Sequence, residues 1–217
     1  MLWLLILGAL IAGSIAAVTG FGIGRLLTPL LASQVGMKLA VAAVTIPHLA
    51  GSAQRLWILR RNVDRQVLLG FGITSAVGGL AGALAHARVS SNTLRITFGV
   101  ILFVAGVSEL TGWIRRVRWG HGAGIIAGLL SGGLGGLVGN QGGIRTAAML
   151  GFEVPKESFV ATSAAIALFV DGARLPVYLA AQSHDIAALW PQLLALTVAV
   201  VVGTAVGARL LVRIPER

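Results

Sequence analysis

The sequence predicts an all-α polytopic membrane protein, and three observations lead to that prediction. Hydrophobic residues make up 56% of the 217-residue chain and charged residues only 11%, whereas a soluble domain carries about 25% charged residues. Several apolar runs reach the roughly 20 residues that a helix needs to cross a bilayer. These runs lack the apolar–polar alternation of a membrane β-barrel. We therefore expect a single membrane domain over residues 1–217.

The apolar runs indicate about seven long transmembrane helices and two short half-helices. The long helices are predicted over residues 2–19, 39–58, 66–86, 93–112, 121–138, 157–180 and 187–211. Short runs at about 26–35 and up to about 152 give the half-helices. We expect Pro47 to kink its helix, because proline lacks a backbone donor and clashes with the preceding turn. Polar residues from Gln182 to Asp185 predict a loop.

Two glycine clusters interrupt the apolar runs. The first is GFGIGRLLTP at residues 20–29, and the second is GNQGGIRT at residues 139–146. In each, glycines are followed by an arginine and a threonine. Glycine weakens a helix and lets other atoms approach the backbone. We expect a broken helix at each cluster.

The order of motifs indicates an internal repeat, with a first copy over residues 1–112 and a second over residues 119–217. The matching positions are Gly24 with Gly142, Thr28 with Thr146 and Lys38 with Lys156. The first copy has five segments, an odd number, so the two copies are expected to be inverted relative to each other. Inverted repeats whose broken helices meet near the midplane are a recurring plan of secondary transporters.

The basic residues predict which segments change side. If neither short helix crosses the membrane, seven basic residues lie on one side and nine on the other, which is no bias. If both cross, four basic residues (Lys38, Arg88, Arg95 and Arg145) face twelve on the other side: Arg25, Arg55, Arg60, Arg61, Arg65, Arg115, Arg116, Arg118, Lys156, Arg209, Arg213 and Arg217. The positive-inside rule favours the second arrangement. It places the N-terminus of the multi-pass chain outside and its C-terminus in the cytoplasm.

The residues in and beside the breaks form a candidate site for a small anion. Free backbone N–H groups, a helix N-terminal dipole and a guanidinium together bind an oxyanion. The candidates are Gly22, Gly24, Arg25, Thr28, Asn140, Gln141, Gly142, Gly143, Arg145 and Arg174. The alternative for Arg25 and Arg145 is a loop position from which they snorkel to a headgroup. For the threonines and amides the alternative is a structural role.

The ionisable residues Asp171, Arg174 and His48 lie in the interior of predicted helices. Asp171 and Arg174 are three apart and share a helix face, and an intramembrane acid and base usually pair with each other. We interpret Asp171 and His48 as candidate proton-coupling residues. The alternatives are a buried ion pair that maintains packing and a histidine that only hydrogen-bonds. Arg55, near the end of the helix of His48, is expected at the membrane interface.

Other function classes lack their signatures. The sequence contains no Gly-x-Ser-x-Gly, no His-Glu-x-x-His and no phosphate-loop motif. It has no cysteine and four scattered histidines, so we predict no enzyme, no metal site and no cofactor. The net charge of +10 comes from loop arginines and does not indicate nucleic acid. The expected partners are a small anion, the lipid bilayer and coupling H⁺ or Na⁺, and a homodimer is compatible with this composition.

On its glycine motifs the chain resembles the sulfite exporter TauE/SafE family of bacterial membrane permeases. The resemblance lies in residues 20–24 with Pro29, in residues 140–143, and in the repeat architecture over nearly the whole length. First motifs in that family commonly read Gly-x-Gly-Gly-Gly, whereas Ile23 and Arg25 interrupt the glycines here. The resemblance implies export of sulfite, sulfoacetate or another small organic anion across the cytoplasmic membrane.

The expected function is therefore secondary transport of a small anion, such as sulfite, sulfoacetate or another organosulfonate, by alternating access of two inverted halves. One alternative is an uncoupled anion channel on the same scaffold. Another is a non-transporting membrane scaffold whose glycines serve only close helix packing. An intramembrane enzyme is disfavoured by the missing catalytic sets.

Overall fold

A computed structural model describes residues 2–112, 121–140, 142–150 and 155–211. Across these residues the chain is helical and contains no strand. The helices are α1 (Leu2–Thr19), α2 (Ile23–Val35), α3 (Met37–Leu59), α4 (Arg65–Arg88), α5 (Ser91–Thr111), α6 (His121–Val138), α7 (Gly142–Leu150), α8 (Lys156–Ala188) and α9 (Trp190–Leu211). The all-α polytopic membrane fold predicted from the sequence is confirmed.

Within the described ranges, five helices are long and apolar enough to cross a membrane: α1, α4, α5, α8 and α9. The prediction of seven long helices also included α3 and α6. Helix α3 has 23 residues, but polar side chains such as His48 and Arg55 lower its hydropathy. In α6 the described apolar stretch is the shorter Gly124–Val138.

Some element boundaries differ from those predicted. The expected loop at residues 182–185 is instead a kink within α8: Gln182 leaves helical geometry, with φ −143° and ψ 27°, and joins two helical segments of Lys156–Ala188. Pro47 lies inside α3 without ending it.

Helix α4 contains a π-helical turn over Leu68–Gly72, a local widening that is often found near functional sites. Its first turn is capped by Asp64, whose side chain accepts two backbone N–H bonds.

The glycine breaks turn α1–α2 and α6–α7 into hairpins. Gly20, Gly22 and Gly139 have φ values of 82°, 136° and 74°, a region that side chains with a Cβ atom rarely adopt. Helix α2 folds back along α1, so that a Cβ atom at Gly8 would lie 2.6 Å from Leu30 Cδ1. Helix α2 has 13 residues, about 20 Å of helix, and is shorter than the hydrocarbon core.

Glycines bring two helix pairs into backbone contact. In the α1–α9 pair, a Cβ atom at Gly203 would overlap the carbonyl oxygen of Leu10. In the α4–α6 pair, a Cβ atom at Gly132 would overlap the carbonyl oxygen of Ser75. Small residues permit this close approach between membrane helices. The repeat prediction equates α1 with α6 and α4 with α9, so the two pairs are reciprocal. The repeat itself stays a prediction.

The directions of the packed helices indicate whether the short helices α2 and α7 change side of the membrane. Helices α3 and α8 run antiparallel, since His48 meets Asp171 and the backbone N–H of Asp64 bonds to Thr162 Oγ1 at 2.8 Å. Helices α1 and α9 run parallel, since Leu10 faces Gly203 and Ser14 faces Gly207. Both directions follow when α2 and α7 each change side, which is the arrangement that the basic residues predict.

Candidate functional site

The tips of the two hairpins touch. A Cβ atom at Gly24 would overlap the carbonyl oxygen of Gly139, and one at Gly142 would lie 3.0 Å from Phe21 Cβ. Helices α2 and α7 both begin at this contact, at Ile23 and Gly142. The first turn of a helix has backbone N–H groups without intrahelical partners and a partial positive charge. The contact therefore places two helix N-termini side by side.

A small cavity of about 20 Å³ lies between the tips. That volume holds about one water molecule, so little space is left between the tips. The cavity is lined by Gly20, Phe21, Gly22, Gly24, Arg25, His48, Gly139, Asn140, Gly142 and Arg145. Seven of these were candidates in the sequence, so the fold brings most of the predicted residues to one place.

Arg25 and Asn140 join the two breaks. Arg25 Nε donates to Asn140 Oδ1 at 3.4 Å, and the guanidinium lies 4.7 Å from the centroid of the Phe21 ring. Asn140 is 3% exposed, and its Nδ2 has no hydrogen-bond partner among the described residues. The asparagine therefore offers a buried donor beside the cavity.

Arg145 is the more deeply buried of the two arginines that line the cavity. It is 2% exposed, and its Nη1 donates to the carbonyl oxygen of Ser163 at 3.0 Å. Its Nε and Nη2 have no partner within the described part of the chain. A buried charged donor that lacks a partner is costly. Two such nitrogens at one cavity indicate a site for an acceptor of opposite charge.

An ion-pair network leads away from the cavity wall. His48 Nδ1 lies 2.6 Å from Asp171 Oδ2, and Arg174 Nη2 lies 2.8 Å from Asp171 Oδ1. Arg174 Nη1 also donates to the carbonyl oxygen of Gly135. Of the three, only His48 lines the cavity. Arg174 lies behind it with its guanidinium engaged, and a contact with substrate stays a prediction.

Three side chains bind successive carbonyls in the last turn of α6. Arg174 donates to Gly135, Tyr178 Oη donates to Gly136, and His86 Nδ1 lies 2.8 Å from the carbonyl oxygen of Leu137. The Gly135 carbonyl also accepts the backbone N–H of Gly139 at 2.9 Å, whereas the last carbonyls of a helix generally lack intrahelical partners. These side-chain bonds therefore stabilise the end of α6 at the second break.

Sequence reasoning missed Tyr178 and His86. Tyr178 is the only tyrosine of the chain, and it lies four residues after Arg174 on one helix face. That spacing was the available signal for Tyr178. Nothing local indicated His86, because its partners lie on α6 and α8.

The expectation that Arg55 lies at the interface is wrong. Arg55 is buried, and its Nη2 donates to Ser52 Oγ at 2.9 Å. Helix α3 continues another turn to Leu59, which places Arg55 inside the bundle. Its charge acts on Arg145, as do the charges of Asp171 and Arg174.

The buried charges around the cavity do not balance. Three arginines are buried there, Arg55, Arg145 and Arg174, whereas Asp171 is the one buried acidic residue among those described. Excess buried positive charge favours a negatively charged ligand.

The remaining candidates occupy varied positions. Thr28 is fully buried, and its Oγ1 has no partner among the described residues. Thr146 Oγ1 donates to the carbonyl oxygen of Gly142 at 2.6 Å, which is a structural role. A Cβ atom at Gly143 would lie 3.0 Å from Arg25 Nη2. Gln141 lies outside the described residues. The described residues contain no group of three or more metal-binding side chains.

A helical membrane bundle with broken hairpins that meet at a buried, positively charged cavity has the architecture of a membrane transporter. The chain matches the family described as sulfite exporter TauE/SafE over residues 5–217, nearly its whole length. It belongs to that family, whose members are membrane transporters. No match was found among curated proteins or among solved structures.

Proposed function

We propose that the chain is a secondary transporter that exports a small oxyanion, such as sulfite, sulfoacetate or another organosulfonate, across the inner membrane. The observation that carries the proposal is Arg145, which lines the cavity and keeps two guanidinium nitrogens without partners among the described residues. A sulfite or sulfonate group has three oxygens that accept hydrogen bonds. Charge-assisted bonds of this kind are roughly twice as strong as neutral ones.

The other groups at the tips suit the same ligand. Asn140 Nδ2 is a further donor, and the N-termini of α2 and α7 add backbone N–H groups and positive dipole ends. The excess positive charge of the buried arginines offsets part of the cost of removing an anion from water. We propose that these groups hold the anionic head.

The small volume of the cavity implies movement of the hairpins. A volume of about 20 Å³ admits about one water molecule, so the tips must separate before an oxyanion enters. The reciprocal α1–α9 and α4–α6 pairs are suited to rock as two inverted halves, which would open the site to one side and then the other. The distribution of basic residues supports an outside N-terminus and a cytoplasmic C-terminus.

We place proton coupling at His48 and Asp171. His48 lines the cavity, and its ring is 2.6 Å from the buried Asp171 carboxylate. An anion bound at Arg145 would add negative charge beside His48 and favour the protonated imidazole. The anion and a proton would then move together.

The test replaces Arg145 and compares it with an exposed arginine. Arg145→Ala should abolish the thermal stabilisation of the purified chain by sulfite and methanesulfonate, and sulfite flux in proteoliposomes should stop. Arg145→Lys keeps the positive charge but loses the planar guanidinium that can form two parallel hydrogen bonds. We expect this variant to bind sulfite about tenfold more weakly. Arg95→Ala, which removes an exposed guanidinium bonded to Asn92, is the control. Normal sulfite binding and flux in a folded Arg145→Ala protein would refute the proposed site.

A further inference from the structure

A second pocket, which we call the tail pocket, lies between α5 and the α6–α7 hairpin. It has a volume of about 180 Å³. Its walls are mainly apolar, with Val100, Val104 and Ala105 on α5, Leu134 on α6 and Ile144 on α7. Val100 and Val104 are more than half exposed, so the tail pocket is a partly open groove that borders the candidate site.

The tail pocket continues from the anion cavity. Asn140 lines both. At Gly143, a Cβ atom would lie 3.0 Å from Arg25 Nη2 and 3.8 Å from Ala105 Cβ. Arg25 and Ala105 therefore both lie close to the position that a side chain at Gly143 would take, so the anion cavity and the tail pocket adjoin there. A ligand whose head lies at the hairpin tips would extend past Gly143 into the tail pocket.

Two buried polar atoms in this pocket lack partners. Ser108 and Asn140 are each 3% exposed, and Ser108 Oγ and Asn140 Nδ2 have no hydrogen-bond partner among the described residues. Such atoms are rarely left unsatisfied unless a ligand or water reaches them. Asn140 lies at the cavity end of the pocket, where a polar head would meet it.

Helix α5 packs loosely against the rest of the bundle. Cβ atoms at Gly99 and Gly106 would meet nothing within 4 Å, and Phe103 is 73% exposed. One face of α5 therefore meets lipid, and the opposite face borders the tail pocket. The pocket is a space that α5 leaves open beside the site.

We infer that the tail pocket receives the carbon chain of the transported anion and that Ala105 and Ser108 determine its specificity. The preferred substrate is then an anion with a short alkyl group, with its head at Arg145 and Asn140 and its chain between α5 and α7. A bare inorganic oxyanion fills only the head site. This inference rests on the proposed function, because it needs an anionic head at the hairpin tips.

The first test uses the full chain in lipid nanodiscs and the n-alkylsulfonates from methanesulfonate to hexanesulfonate. The apparent Kd from thermal stabilisation should fall about fourfold for each added methylene and level off once the chain fills the pocket. 1-Hexanol, which has the chain but no charge, should not stabilise the protein. An affinity that is the same for every chain length overturns the inference.

The second test narrows the pocket with Ala105→Leu. This variant should bind sulfite and methanesulfonate within about twofold of the unaltered chain and bind hexanesulfonate at least about tenfold more weakly. Gly106→Leu adds the same side chain one residue later, where a Cβ atom meets open space, and should keep the chain-length dependence. Equal weakening of hexanesulfonate in both variants would contradict a specific pocket.

A third variant covers the case in which Ala105→Leu does not fold. Ser108→Ala removes the unpartnered hydroxyl from the pocket and should strengthen hexanesulfonate binding by a few fold, with sulfite unchanged. No gain for hexanesulfonate would count against the inference.

If neither sulfite nor any alkylsulfonate stabilises the unaltered chain, the proposed function fails, and the inference fails with it. If sulfite binds and chain length has no effect, only the inference fails.

Discussion

His48 Nδ1 lies 2.6 Å from Asp171 Oδ2 and joins α3 to α8 in the middle of the bundle. Helix α3 follows the first hairpin along the chain, and α8 follows the second. The same carboxylate pairs with Arg174, which binds the end of α6 through Gly135. One aspartate therefore links the cavity wall at His48 to the helix that ends at the second break.

Removal of the Asp171 carboxylate should strongly destabilise the protein. Asp171→Asn leaves Arg174 buried without its anionic partner, and breaking a buried ion pair by removing one partner costs about 3–5 kcal/mol. We expect a clear fall in the midpoint of thermal unfolding, followed by tryptophan fluorescence in detergent. Asp185→Asn, later in α8, is the control. Asp185 is exposed, and its carboxylate makes only a long contact of 3.9 Å with the exposed His184 ring. Equal midpoints for the two variants would show that the network adds little to stability.

Loss of the His48 imidazole should separate anion movement from proton movement. His48→Gln keeps a polar side chain at the cavity but removes the titratable ring. In proteoliposomes we expect a pH gradient to drive sulfite flux through the unaltered chain. The variant should exchange sulfite across the membrane without responding to that gradient. Flux through the unaltered chain that ignores the gradient would instead support the uncoupled channel.

A methyl group at Gly24 should force the hairpin tips apart. The Cβ atom of Gly24→Ala would overlap the backbone carbonyl oxygen of Gly139, and the backbone can give way only by moving the hairpin. We expect a loss of about 1–3 kcal/mol in stability, together with loss of sulfite-dependent stabilisation. Gly99→Ala is the matched control, since its Cβ atom meets nothing within 4 Å. Full sulfite binding by Gly24→Ala would show that contact of the tips is not needed.

Removal of the Tyr178 hydroxyl should loosen the second break selectively. Tyr178→Phe leaves the buried Gly136 carbonyl without its donor, at a cost of about 1–3 kcal/mol. Hydrogen exchange should rise at the end of α6 and remain unchanged at the first break. Thr197→Val serves as a control, because Thr197 Oγ1 bonds only to the carbonyl of Leu193 on its own helix. A uniform rise in exchange at both breaks would contradict a local role.

Much of the candidate site could be predicted because the sequence marks it locally. Glycine clusters weaken a helix wherever they occur, so residues 20–24 and 139–143 were recognisable as breaks. Arg25, Asn140 and Arg145 lie within or directly after those breaks, and all three line the cavity. Their convergence on one cavity across the two breaks was expected only from the repeat.

Other features had no local signal. Arg55 is near the end of α3 in sequence, yet the bundle buries it beside Ser52. His86 and Tyr178 come from different helices and meet only at the end of α6. The pairing of Arg174 with Asp171 was indicated by their spacing of three, but the bond from Arg174 to the distant Gly135 carbonyl was not. Each of these positions depends on which helix faces pack together.

By itself, the sequence determined the helical membrane class, the two breaks and the polar residues at them. These properties depend on the free energy of transferring each segment into the bilayer and on the local conformational preference of glycine, and both are set by residues close together in the chain. Only the tertiary structure decided which residues form the contact between the hairpin tips, that Asp171 pairs with His48 as well as with Arg174, and that α5 leaves the tail pocket open. Those outcomes depend on how small-residue faces of distant helices approach one another, and hydropathy along the chain does not specify that approach.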